Sequence, residues 1–137
     1  MREIEFRAKC KLLGKMMYGS LYIKKNGKVF INSTEVYEET VSQFTGLRDK
    51  NCLKIYEGDI IVNTKGESNY KLIVVYHRGA FRVKFFINKD EPYNSATYGK
   101  DYCQYLHESK YSSRFRQNPQ HYEVVGNIYL KEKENVR

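Results

Sequence analysis

The sequence has 137 residues, of which 41% are hydrophobic and 29% are charged, and its formal net charge is +8. This length and balance are typical of one globular domain, and they exclude a disordered chain and a helical membrane span. The first residues lack the apolar core of a secretory signal and the three cysteines are far apart, so we expect a single domain in a reducing cytoplasm.

The first half of the sequence predicts short strands separated by polar segments. Residues 4–8 alternate apolar and polar side chains at a period of two, which is typical of a half-buried strand. Residues 17–31 predict a hairpin around Asn26 and Gly27, because both residues tolerate the positive φ of a type I′ turn. Residues 32–52 are polar and predict a loop with one short helical turn at its start, near Thr34 and Glu35.

The second half continues this pattern and then interrupts it. Strands are predicted at residues 60–62, 70–76, 81–87 and 122–130. Residues 88–121 are polar and rich in tyrosine and predict a variable insertion, in which residues 101–109 form a short helix, and residues 131–137 predict a frayed tail. The fold prediction is therefore a mainly β protein, a small SH3-like or partly open antiparallel barrel with a Tyr-rich loop or short-helix insertion.

The positive charge is concentrated in two blocks. Residues 1–30 carry eight Lys or Arg against two acids, and residues 71–89 carry five Lys or Arg and no acid. Neighbouring basic strands would form a positive face that attracts polyanions, but lysines on edge strands also serve to prevent aggregation, and both interpretations stay open. The basic candidates for a binding surface are Arg78, Arg82 and Lys84 with Lys24 and Lys28.

No constellation of residues predicts catalysis. Cys103 and His107 would share a helix face, but no third partner is evident. Glu57 and Asp59 flank a glycine and could converge on a metal or act as an acid–base pair, but no third ligand is evident, and a turn that enters a strand is the favoured explanation. We therefore expect no enzyme, no cofactor and no metal.

Three separate segments of the sequence, taken together and in this order, form a recognisable pattern. They are residues 2–8 (REIEFRA), residues 43–51 (QFTGLRDKN) continuing to residues 55–61 (IYEGDII), and residues 123–129 (EVVGNIY). Together they resemble the YopX family of small phage and prophage proteins. The resemblance implies a mostly β fold and a phage or prophage origin, hence the cytoplasm of a bacterial host, but no activity and no catalytic residues.

The chain departs from the family pattern at several positions. Lys9 replaces a usual tryptophan, Cys52 replaces a usual glycine, and the family ending is replaced at Leu130. In the central segment, Asp49 is expected to accept hydrogen bonds from backbone amides of a fixed loop.

The sequence favours a protein that acts by binding. The first hypothesis is a module for nucleic acid or for a nucleic-acid-processing complex of the host, and the alternative is a protein-binding inhibitor of a host defence system that does not contact nucleic acid. The tyrosines of residues 88–121 would either contact the partner or fill core space, and assembly of identical chains stays open. The candidates in this segment are Tyr98, Tyr102, Tyr105, Tyr111, Arg114 and Arg116.

Overall fold

The computed structural model describes residues 3–63, 71–77, 79–86, 104–105 and 122–130. The chain divides into two compact units, Met1–Gly46 and Leu47–Arg137. The prediction of one domain over residues 1–137, with an insertion at 88–121 and a frayed tail at 131–137, stays a prediction.

Short antiparallel strands build the first unit. The strand β1 pairs with β2 on one side and with the start of β6 on the other, while β3, β4 and β5 form a separate three-stranded sheet. The core of this unit consists of Ala8, Val29, Ile31 and Val36. The elements are β1 (Phe6–Lys9), β2 (Met16–Gly19), β3 (Leu21–Ile23), β4 (Val29–Ile31), β5 (Thr34–Glu35), a 3₁₀ turn (Glu38–Thr40) and β6 (Ser42–Arg48), which ends in the second unit.

The hairpin predicted at residues 17–31 is shorter than expected. Only β3 pairs with β4, with Ile23 opposite Val29, whereas β2 pairs with β1. The turn is not type I′, since Gly27 has a positive φ of 88° and Asn26 does not. The amide of Gly27 donates to the carbonyl of Lys24 over 2.9 Å, so the connection is a turn followed by a left-handed glycine.

The prediction of a loop at residues 32–52 is wrong, because this range contains two strands. Thr34 and Glu35 form β5 rather than a helical turn, and β6 covers seven residues of the central segment. Asn32 and Ser33 both have positive φ, 48° and 69°, and they make the two-residue connection between β4 and β5. The one helical turn of this region is the 3₁₀ turn at Glu38–Thr40.

A five-stranded antiparallel sheet dominates the second unit. Its order is β11-β10-β9-β8-β12, and among the described residues β11 and β12 are its edges. One face of this sheet supplies most of the core, namely Ile61, Leu72, Val74, Val83, Tyr122 and Val124, and Ile55 from outside the sheet completes it. The strands are β7 (Lys54–Tyr56), β8 (Asp59–Asn63), β9 (Lys71–His77), β10 (Ala80–Phe86), β11 (Gln104–Tyr105) and β12 (Tyr122–Asn127).

The predicted fold class is confirmed, since the protein is mainly β and the sheet of the second unit fits a partly open antiparallel barrel. The short helix predicted at residues 101–109 is contradicted at Gln104 and Tyr105, which form β11 and pair with Val83 and Arg82. The remainder of residues 88–121 and all of residues 131–137 lie outside the described residues.

Candidate nucleic-acid interface

The sheet β3-β4-β5 of the first unit has one buried face and one solvent face. Val29 and Ile31 point into the core. The register places Tyr22 opposite Phe30 and Phe30 opposite Glu35, so these three side chains share the other face. Tyr22 is 63% exposed. A large aromatic ring therefore projects from this sheet into solvent beside a second, partly buried ring.

Two lysines border these rings, and we call Tyr22, Lys24, Lys28 and Phe30 the aromatic–basic face. The Nζ atom of Lys24 lies 4.4 Å from the centroid of the Phe30 ring, which is a cation–π contact. The amide of Lys24 donates to the carbonyl of Lys28 over 2.9 Å, so the backbone of the hairpin holds the two lysines side by side. Both lysines are exposed.

An ion pair between Lys11 and Glu35 of β5 lies at the border of this face. The Nζ atom of Lys11 lies 2.7 Å from Oε2 of Glu35. This hydrogen bond lowers the pKa of Glu35, and the charges of Lys11, Lys28 and Lys24 lower it further. The same bond raises the pKa of Lys11. Because the carboxylate pKa is lowered on folding, the pair is kept at neutral pH and is lost only as the pH falls through that lowered value.

Two basic candidates of the second unit, Arg82 and Lys84, lie on one strand. Arg82 pairs with Val75 and Lys84 with Ile73, so both lie on the face of β10 opposite the buried Val83. Both are half-buried. The Nε atom of Arg82 donates to the carbonyl of His77 over 2.9 Å, which ties this guanidinium to its own hairpin. The predicted surface shared by these residues and the bases of residues 1–30 stays a prediction.

The other predicted site residues cannot be placed in a site. Tyr105 lies in β11, opposite Arg82. The remaining candidate residues lie outside the described part of the chain; they are Arg78, Tyr98, Tyr102, Cys103, His107, Tyr111, Arg114 and Arg116.

Sequence reasoning missed the aromatic half of the face and a second exposed feature. Tyr22 and Phe30 were not candidates, although their alternation with Leu21 and Ile31 was the signal that could have found them. Leu12 and Leu13, 87% and 67% exposed, lie at the turn between β1 and β2.

Asp59 stabilises the turn that precedes β8. Its side chain is fully buried, and Oδ2 accepts the amide of Tyr56 at 2.8 Å. This contact supports turn construction as the role of the Glu57–Asp59 pair. Within the described ranges, no three or more His, Cys, Asp or Glu side chains are grouped so as to hold a metal ion.

Asp49 links the central segment to the last strand. Its buried carboxylate accepts three amides: Oδ1 binds those of Asn51 and Leu53 at 2.8 and 2.9 Å, and Oδ2 binds that of Val124 at 3.0 Å. The expected role of Asp49 as an acceptor for backbone amides is confirmed. The side chain of Asp49 thus joins the central segment, residues 43–61, to the last segment, residues 123–129, and stabilises the fold.

Cys52 lies in the turn that Asp49 organises, and it has a left-handed φ of 64°. A side chain with a β-carbon is strained there, which explains why glycine suits this position. We expect Cys52→Gly to raise the free energy of unfolding by about 0.5–1 kcal/mol, since relief of about 1–2 kcal/mol of strain exceeds the added entropy of the unfolded chain. Urea denaturation followed by circular dichroism measures this.

The matched control for this change is Cys52→Ala, which removes the exposed thiol but keeps the β-carbon. It should leave the free energy of unfolding close to that of the unchanged protein. An equal gain from both substitutions would show that the thiol, rather than the backbone, limits stability.

The comparisons with known proteins concern the fold and the family of the chain. In the described ranges, no helix is both long and apolar enough to cross a membrane. A crystal structure of protein EF1440 from Enterococcus faecalis is similar, with a TM-score of 0.50 and 20% sequence identity over 98% of this chain and 97% of that chain. At this identity the similarity concerns the fold alone. No curated protein matches the sequence.

The family model described as YopX protein matches residues 5–133. The match includes almost all of the three segments identified from the sequence, and it leaves out only four residues at each end. The chain therefore belongs to the YopX family.

Proposed function

We propose that this protein is a phage- or prophage-encoded accessory protein without enzymatic activity, and that it binds nucleic acid through the aromatic–basic face. The observation that carries this proposal is that the cross-strand pair of rings, Tyr22 and Phe30, lies beside the pair of lysines, Lys24 and Lys28, on the solvent face of one sheet. Exposed faces of sheets are usually polar, whereas rings beside cations are the combination that contacts bases and phosphates.

The positive charges of Lys24, Lys28 and the chain as a whole favour an anionic partner. Lys24 and Lys28 are exposed and lie next to each other on a backbone-bonded hairpin, so two phosphates can be neutralised at little cost in side-chain placement. Release of counterions from the phosphates then drives association. The net charge of +8 adds a long-range attraction that speeds the encounter.

Charge reversal of the two lysines tests this proposal. We expect the double variant Lys24→Glu, Lys28→Glu to weaken binding of a labelled oligonucleotide about ten-fold or more at about 50 mM salt, because two phosphate contacts become repulsions. The slope of log affinity against log salt concentration should decrease in magnitude by about two. Fluorescence anisotropy titrations over a series of salt concentrations measure both quantities.

A control with the same net charge separates local contact from total charge. The double variant Lys15→Glu, Lys71→Glu changes one exposed base in each unit, and neither residue belongs to the aromatic–basic face. Its affinity should decrease much less. Equal losses in both double variants would contradict a specific role for this face, and the absence of binding at low salt would contradict the proposal as a whole.

One observation favours the alternative, a protein-binding inhibitor of a host defence system. Leu12 and Leu13 are exposed on a turn whose base is fixed, since the amide of Cys10 donates to Lys15 over 2.7 Å and that of Gly14 to Cys10 over 2.9 Å. Neighbouring exposed apolar side chains form a patch of the kind that marks contacts with other proteins. Retention of one host protein that depends on both leucines, together with unchanged oligonucleotide binding, would favour this function.

A further inference from the structure

We infer that the aromatic–basic face is a stacking platform for unpaired bases, so that the ligand is a single-stranded polynucleotide. This inference rests on the proposed function and specifies its substrate class. Its basis is the direct cross-strand pairing of Tyr22 with Phe30 on a face that the rest of the first unit leaves open to solvent.

The chemistry of the side chains distinguishes single strands from duplexes. In a duplex the base faces are stacked on one another, and a protein that enters a groove meets only the base edges, which Arg, Lys, Asn and Gln read through hydrogen bonds. Tyr22 and Phe30 instead present ring faces and edges, which bind unstacked bases of any sequence. Two rings on neighbouring strands of a sheet are the arrangement with which sheet-based domains hold successive bases of a single strand.

We expect the ammonium of Lys24 to lie over the Phe30 ring in the free protein and to move to a phosphate in the complex. In the free protein its ammonium lies 4.4 Å from the centroid of the Phe30 ring and covers part of it. Stacking of a base on an aromatic ring is stronger than an exposed cation–π contact, so a base displaces the ammonium. The displaced ammonium is then free to pair with the phosphate of the same nucleotide, next to Lys28. Base stacking and phosphate binding are therefore coupled in one nucleotide.

Acidic residues limit the footprint on the other side. Glu35 lies beside Phe30 on β5, and Glu38 and Glu39 follow it in the 3₁₀ turn. The charge of Glu35 is offset by Lys11, but the exposed carboxylates of Glu38 and Glu39 repel phosphates, so the strand is expected to follow the β3–β4 hairpin rather than cross β5. The contact is then short, about two bases, and its specificity for sequence is low.

The test compares strands and ring variants by fluorescence anisotropy with the full-length protein. The probes are labelled oligo-dT and oligo-U of about 12 nucleotides and a DNA hairpin whose stem is fully paired and whose loop is a polyethylene glycol linker without bases. We expect either single strand to bind at least about ten-fold more tightly than the hairpin. Tyr22→Leu, which keeps an apolar side chain but removes the ring, should weaken single-strand binding about ten-fold. The preference between oligo-dT and oligo-U identifies whether DNA or RNA is the source.

Tyr76→Leu is the matched control, because Tyr76 is 58% exposed but belongs to β9 of the second unit. Its single-strand affinity should remain unchanged. If hairpin and single strands bind alike, and charge reversal of Lys24 and Lys28 abolishes both while Tyr22→Leu has no effect, the stacking inference is overturned and the proposed function stands. If no probe binds at about 50 mM salt, both fail. Thermal melting of each variant confirms that the protein is folded.

Discussion

Replacing Asp49 with alanine is expected to lower the free energy of unfolding by about 3–5 kcal/mol, which is a large part of the stability of a small domain. The substitution removes the acceptor of three backbone amides, those of Asn51, Leu53 and Val124. Hydrogen bonds to a carboxylate are stronger than neutral ones, and the amide of Val124, whose hydrogen bond is buried, carries the full cost of desolvation when its acceptor is removed. The melting temperature should decrease by about 10–20 °C.

A variant of Asp49 itself and a control in the 3₁₀ turn of the first unit test this assignment. Asp49→Asn keeps the size of the side chain but turns one acceptor into a donor, so we expect an intermediate loss of about 2–3 kcal/mol. Glu38→Gln removes an exposed carboxylate and should change stability by less than about 0.5 kcal/mol. A loss below about 1 kcal/mol for Asp49→Ala would mean that solvent replaces the carboxylate and that the link to β12 is not needed for folding.

The strands with regular alternation could be predicted from the sequence. In β10 Val83 is buried and Arg82 and Lys84 lie on the opposite face, as a period of two requires. In β9 the residues Leu72, Ile73 and Val74 are all buried, as a short continuous apolar run indicates. The pairing of His77 with Ala80 also agrees with the short gap between the strands predicted at residues 70–76 and 81–87.

Buried polar residues explain why β6 was missed. Ser42 and Arg7 are both buried, and the Nε atom of Arg7 donates to Oγ of Ser42 over 3.1 Å. A serine then stands where alternation would require an apolar residue, and a charged residue of β1 is buried beside Ala8. A hydrogen bond between residues 35 positions apart in the chain leaves no periodic signal in the sequence.

The aromatic half of the candidate site depends on the type of one turn. A two-residue type I′ turn at Asn26 and Gly27 would place Tyr22 opposite Ile31, with the side chains of the core. The observed turn has one more residue on the loop, so Tyr22 lies opposite Phe30 instead. Because a shift of one residue exchanges the faces of a strand, the hairpin could be predicted without predicting which side chains share its solvent face.

Gly58 is the second position where we expect a large effect. It has a φ of 81°, its amide donates to the carbonyl of Val74 over 2.7 Å, and its own carbonyl accepts the amide of Ile128 at 3.0 Å. A β-carbon at this position would lie 2.6 Å from Cε2 of Tyr129. Gly58→Ala is therefore expected to cost about 2–4 kcal/mol, from backbone strain of about 1–2 kcal/mol and displacement of the Tyr129 ring.

The hairpin turn supplies a control in which only the backbone strain is present. Gly27 has a φ of 88°, close to that of Gly58, but a β-carbon there would meet no atom within 4 Å. Gly27→Ala should therefore cost about 1–2 kcal/mol, the strain alone. The difference between the two substitutions, measured by urea denaturation, isolates the contact between Gly58 and Tyr129. Equal costs would contradict this contact, whereas a difference that disappears when Tyr129 is also replaced by alanine would show that the ring determines it.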